Sequence, residues 1–190
     1  LLVPISLIAL LALYVGLTQA GWSVTLRRQF ENVMSLTPIA VVMVLPVLAI
    51  ELLSKGIMFA WMDPAVVAGD PLYEEKSAYF TLGAGGAPWF FILRAVLYAV
   101  ALTVISRKLW RYSVEQDRTG DKTLTNRAQA TSAWGMLVFA LTTAFIAFDW
   151  LMTLDYRFFS TMWGVYYFAG CVFASVSLLT RLAHPATSTM

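Results

Sequence analysis

Residues 37–61 read TPIAVVMVLPVLAIELLSKGIMFAW, and no charged side chain interrupts them between Thr37 and Ile50. A surface helix or a half-buried strand needs a polar face recurring with its own period, and neither period is present. A helix that is apolar on all sides belongs in a core or a bilayer. Residues 2–17, LVPISLIALLALYVGL, have the same character. A bilayer core about 30 Å thick needs roughly 20 mainly apolar residues per helix, and five stretches meet that need: about 1–20, 37–61, 88–109, 131–152 and 159–181. Transmembrane β-strands would be about ten residues long with apolar and polar positions alternating, which these stretches lack.

Composition points the same way. With 190 residues, 59% of them hydrophobic and 13% charged, the chain has too few charges to coat a soluble globule. Its mean hydropathy is +0.72. The expected fold is an all-α integral membrane protein, one multi-pass domain over residues 1–190. No internal repeat or low-complexity stretch is evident. The single cysteine, Cys171, lies in the fifth stretch and reads as a small packing residue. The eight methionines are scattered, as gap-fillers between helices are. Leu1 opens directly on an apolar run with no basic segment ahead of it, so the start reads as a span in progress rather than a signal peptide. The expectation is a piece of a longer protein.

Basic residues set the orientation, because the cytoplasmic side keeps positive charge. Segments 21–36 and 107–130 and the C-terminal end carry Arg27, Arg28, Arg107, Lys108, Arg111, Arg118, Lys122, Arg127 and Arg181, nine of the thirteen Lys and Arg. The opposite segments, 62–87 and 153–158, hold Lys76 and Arg157 beside Asp63, Asp70, Glu74, Glu75 and Asp155. The chain is therefore expected to start outside and end in the cytoplasm. With a net charge of +2, the basic loops read as topology determinants and call for no nucleic-acid partner.

Four ionisable residues remain inside the expected spans: Glu51, Lys55, Arg94 and Asp149. Each costs at least about 2.5–3.5 kcal/mol at a helix centre and usually faces the bundle interior with a partner. At a rise of about 1.5 Å per residue, Glu51 lies about 21 Å along the second span and Arg94 roughly 9 Å below the outer surface. Glu51 and Lys55 are i,i+4 neighbours in the favourable order. Asp149 falls in the last outward turn of the fourth span, where a carboxylate opposes the helix dipole and needs a cation, with Arg94 and Arg157 first and Lys55 third. The sequence thus predicts one polar cluster in the outer half of the membrane, a candidate proton path. The alternative is that Asp149 and Lys55 simply reach water at the interface. Pro46 removes the donor for the Val42 carbonyl and opens a polar point near Glu51, or is a packing kink without chemistry.

Residues 148–170, FDWLMTLDYRFFSTMWGVYYFAG, join the last two spans. Asp155, ahead of Tyr156 and Arg157, has the type and place of a cap for the next helix, with Ser160 as its rival. Trp150, Tyr156, Phe158, Phe159 and Trp163 resemble an interfacial aromatic belt. Tyr98, Tyr166 and Tyr167 could contact a quinone or could only pack the core.

Several chemistries are excluded for this chain alone. Its one histidine, His184, lies beyond the last span and its one cysteine cannot form a CxxCH motif, so no haem, iron–sulfur cluster or ordinary zinc site is expected. The glycine-rich TLGAGGAPW at 81–89 lacks the P-loop lysine and the dinucleotide spacing, and reads as a flexible connection.

Taken together, TQAGWSVTLRR (18–28), DPAVVAGDPLYEEKSAYF (63–80), RYSVEQDRTGD (111–121) and AFDWLMTLDYRFFSTMWGVYYFAG (147–170) resemble the ActF-type membrane subunit of bacterial alternative complex III, the quinol:cytochrome c or electron-carrier oxidoreductase also labelled quinone-binding subunit 2. That family is about twice this length, with roughly ten spans in a polysulfide-reductase-like bundle. The resemblance implies a place in the bacterial cytoplasmic membrane, in respiratory or photosynthetic electron transfer. Partners would be a related membrane subunit, an iron–sulfur subunit and cytochrome subunits, with haem and clusters held there. Lipids and the quinol pool complete the surroundings, and this chain would carry no catalytic residue or metal of its own. The family often has histidines near the end of the second span, whereas ELLSKGIMFAWMD at 51–63 has none, so a histidine relay is not expected. The expected role is a proton path through Glu51, Lys55, Arg94 and Asp149, with Asp155 and Arg157 as weaker candidates. The alternatives are a purely structural anchor and an accessory quinone-binding subunit.

Overall fold

A computed structural model describes residues 24–54, 56–81 and 88–187, and the described residues form helices and turns with no strand. The expected first span, 1–20, and Lys55 lie outside them. The helices are α1 (Val24–Ser35), α2 (Thr37–Ser54), α3 (Pro64–Val67), α4 (Pro71–Thr81), α5 (Trp89–Thr119), α6 (Thr123–Ile146) and α7 (Trp163–Thr187). Among the described residues three stretches are long and apolar enough to cross a membrane: Glu31–Ser54, Trp89–Thr119 and Thr123–Leu154.

Extents differ from the expected ones for local reasons. The helix of the expected span 37–61 runs over Thr37–Ser54. Gly56, at φ 102°, turns the chain, and its missing side chain leaves room for Phe59 O and Asp63 N, each 3.1 Å from where a Cβ would stand. Two Asp-Pro pairs then start short helices. Asp63 Oδ1 accepts from Ala65 N at 2.9 Å and Asp70 Oδ1 from Leu72 N at 3.0 Å, while Pro64 and Pro71 occupy first-turn positions that lack a partner in any case. The expected loop 107–130 is almost wholly helical. α5 runs on to Thr119, and Gly120 closes it in the left-handed region with its N–H on Gln116 O. Asp121 then accepts from Thr123 N at 2.8 Å to open α6.

α6 packs along α5 and α7, with α1 and α2 against α5. Met34, Tyr98, Leu102, Ile105, Leu109 and Phe139 form the core between them. Small residues allow close approach: Gly164 of α7 lies over Ala144 and Phe148 of the α6 end, and the buried Ser106, Ser132, Thr142 and Thr143 sit between helices. Large apolar side chains such as Leu45, Leu53, Leu97 and Leu137 point outward instead, the arrangement of a bundle solvated by lipid. A second, aromatic core covers one end. Trp61 stacks on Phe80 at 4.5 Å, and Phe59, Phe91 and Tyr156 pack around them. Tyr156 is therefore a core residue, whereas Phe158, Phe159 and Met162 are exposed, as a membrane-interface belt would be.

Candidate functional site

Asp149 owes its position to a break in helix geometry. At Ala147 the α-helix widens into a π turn over Ala147–Leu151, a feature that re-aims a side chain by one residue. The turn directs Asp149 into the bundle, where it is fully buried. Oδ2 accepts from Arg94 Nε at 2.7 Å and from the Tyr98 hydroxyl at 2.6 Å, and Oδ1 accepts from the Tyr79 hydroxyl at 2.5 Å. The Thr153 hydroxyl donates to the Asp149 carbonyl. Each helix contributes a distinct part: α5 supplies Arg94 and Tyr98 one helical turn apart, and α4 reaches over the end with Tyr79.

Arg94 is held as tightly as its acid. Its guanidinium lies between the rings of Tyr79, 4.1 Å away, and Phe90, 4.3 Å away. Nη1 donates to the Tyr79 carbonyl at 2.7 Å, while Nη2 is buried without a hydrogen-bond partner among the described residues. The cation thus answers both the Asp149 charge and the unfavourable helix end. Burial and the nearby Asp149 push the Tyr79 phenol above its ordinary range, so it remains a donor.

A cleft of about 700 Å³ opens between α2 and α5. Its walls are aliphatic and aromatic, and Tyr98, Trp150, Tyr167 and Glu51 are among its lining. A smaller cleft, about 300 Å³, borders Tyr79, Lys76, Phe159 and Thr153. Tyr98, Asp149 and Tyr79 therefore make one hydrogen-bonded chain whose two phenols border different clefts.

The structure brings Arg94 and Asp149 together and gives Glu51 a separate set of partners. The Glu51 carboxylate is buried and accepts from Phe59 N at 2.8 Å and Met58 N at 3.0 Å, tying down the turn after α2. It meets the Asp149 group only through the shared cleft wall. Arg157 pairs with Asp70 at 3.0 Å rather than with Asp149, and the Tyr156 hydroxyl donates to the same carboxylate. Asp155 does not cap α7, which starts only at Trp163; it accepts from Arg157 N and heads a turn. Tyr166 is exposed on α7, away from the large cleft that Tyr167 borders.

One participant in the site, Tyr79, and one buried acid away from it, Glu31, are not apparent in the sequence. Tyr79 belongs to a segment that reads as a polar loop, and only its position before Phe80 on an Asp-Pro-initiated helix hints at an inward face. Glu31, assigned to a loop, is buried on α1, accepts from the Ser113 hydroxyl at 2.6 Å and pairs with Arg28, which also meets Asp117. Among the described residues no three His, Cys, Asp or Glu side chains gather as a metal site would require.

The fold and site define an α-helical membrane protein with a buried acid–base pair near one end of its bundle. No protein-family model matches the sequence, and no curated protein sequence does.

Proposed function

We propose that this chain is a membrane subunit of a quinol-oxidising electron-transfer complex of the alternative complex III type, in the bacterial cytoplasmic membrane, and that it carries protons toward the outer face. The observation that carries this reading is the Tyr98–Asp149–Tyr79 chain, a carboxylate between two phenols, running from the apolar cleft to the part-exposed Tyr79. A proton taken up by the Tyr98 oxygen sends that phenol's own proton onto Asp149 Oδ2; Tyr79 then releases its proton outward and takes the one on the carboxyl once that group turns toward it, with Arg94 steadying the carboxylate between transfers. Glu51 borders the cleft on its other side, and water within the cleft would connect it to Tyr98. The redox centres lie in partner subunits, as do their haem and iron–sulfur ligands, and the bundle belongs to a polysulfide-reductase-like subunit of about ten spans.

Tyr98→Phe tests the path, since it keeps the ring and removes the relay hydroxyl. In reconstituted complex it lowers protons moved per quinol oxidised while assembly is retained; an unchanged stoichiometry refutes the proton path. Glu51→Gln should act in the same direction.

A structural anchor is the second reading, and the Glu51 contacts favour it. Two backbone N–H groups held by one buried carboxylate close a turn, and the Arg94–Asp149 pair sets the register of α5 against α6. Under that reading Glu51→Gln costs assembly or heat stability and leaves turnover per assembled complex intact. Accessory quinone binding is favoured by the apolar cleft with Tyr98 at its wall. Photoaffinity labelling by a quinone analogue at cleft residues supports it, and labelling confined to another subunit excludes it.

A further inference from the structure

At the Gly120 end of the α5–α6 hairpin, a charged surface continues an apolar one. On α5 the exposed residues Leu93, Leu97, Val100 and Val104 recur every three or four positions, which places them on one helix face. Arg107, Lys108 and Arg111 extend that same face and are exposed. Among the described residues none of the three has an acidic side chain within ion-pair distance, although Glu115 is one turn away on the same helix. α6 runs alongside with its own exposed row, Trp134, Leu137 and Leu141. Lys108 Nζ lies 5.6 Å from the centre of the Trp134 ring, so the two rows meet where the charge begins.

The distances match a membrane. From Trp89 to Arg107 the helix rises about 27 Å, close to the thickness of a hydrocarbon core, so the cations stand at headgroup level when Trp89 stands at the opposite interface. Trp134 beside them is the residue type that prefers that level.

We infer that Arg107, Lys108 and Arg111, with the apolar rows below them, form a binding site for an anionic phospholipid: the phosphate is held by the three cations and the acyl chains lie along Val100, Val104, Leu137 and Leu141. A soluble anion would use the cations alone and gain nothing from the apolar rows that run on from them. An acidic protein segment would match the charge but not an apolar wall running about 20 Å into the bilayer. The continuity of the two surfaces is what selects a lipid.

Native mass spectrometry of the full chain, purified in mild detergent, tests the site with phosphatidylglycerol, phosphatidylcholine and inorganic phosphate as probes. Phosphatidylglycerol should be retained under activation that strips phosphatidylcholine, and inorganic phosphate at equal concentration should not displace it. Each cation near a membrane surface changes anionic-lipid affinity about fivefold, so Arg107→Gln/Lys108→Gln/Arg111→Gln should lower retention by at least about tenfold. The single variant Arg111→Gln should lower it about fivefold and serves if the triple variant does not fold. Arg118→Gln/Lys122→Gln, at the hairpin tip beyond the apolar rows, should leave retention unchanged. Equal retention of the two lipids overturns the site, displacement by phosphate reduces it to a free-anion site, and an equal loss in the tip variant reduces it to net charge. Capture of a protein instead of lipid by a photo-crosslinker at Val104 in native membranes also overturns it.

Discussion

Arg94 Nε stands 2.7 Å from Asp149 Oδ2, and this contact ties α5 to the π turn that ends α6. Both side chains are shielded from solvent, at 9% and 0% exposure, so neither charge can be satisfied by water if the other is removed.

Replacing Asp149 by Asn should therefore cost about 3–5 kcal/mol of stability, because a buried cation is left without its counter-charge. The amide also presents one acceptor oxygen where three donors converge. Thermal unfolding in detergent checks it, and a melting temperature equal to that of the parent would show that the pair holds nothing. The double variant Arg94→Met/Asp149→Leu should recover part of the loss, since no buried charge remains.

Tyr79→Phe retains the ring against the guanidinium and removes only the hydroxyl from Oδ1. A hydrogen bond to a charged acceptor is worth about 1.5–3 kcal/mol, and a loss of that size is expected. Tyr98→Phe should cost a similar amount. Because both phenols serve one carboxylate, the double variant should depart from additivity in a double-mutant cycle. Strict additivity would mean that the two contacts are independent.

Gly56→Ala places a methyl group in a left-handed backbone, 3.1 Å from both Phe59 O and Asp63 N. The expected loss is about 1–2 kcal/mol from the backbone alone. The turn should also open more often, exposing residues 57–62 to protease. Unchanged cleavage and stability would show that the turn relaxes without strain.

Asp70 gives the protein an acid-sensitive contact outside the spans. The Tyr156 hydroxyl, with the Leu72 N–H and Arg157, holds its carboxyl below the ordinary value of 3.8. A carboxylate depressed in the folded state contributes stability that is fully present above 3.8 and is lost as pH falls through the lower folded value. Melting temperature followed from about pH 6 down to about pH 2 should fall more steeply for the parent than for Asp70→Asn. Parallel curves would exclude the contact as a source of acid sensitivity.

Membrane character and helical class were determined by the sequence itself, because residues 37–50 have no polar side to expose. The sequence also singled out Arg94 and Asp149, since an ionisable side chain within an apolar run has few stable arrangements. Helix ends were harder to read. A hydropathy window cannot see that the chain turns at Gly56, and residues 107–130 look like a loop because charged residues outside a bilayer do not betray their helix.

Which charges meet was decided only by the tertiary structure. Depth along a span placed Glu51 level with Asp149, but depth says nothing of azimuth, and the Glu51 carboxylate is occupied by the Met58 and Phe59 N–H groups instead. Arg157, close to Asp149 in sequence, is carried away to Asp70 by the turn at 155–157. Tyr79 arrives from seventy positions earlier because α4 folds across the bundle end, a contact set by aromatic packing of Trp61 and Phe80. The π turn that aims Asp149 depends on backbone hydrogen bonding that no single residue type announces, and it is this turn that puts the carboxylate between two phenols and an arginine.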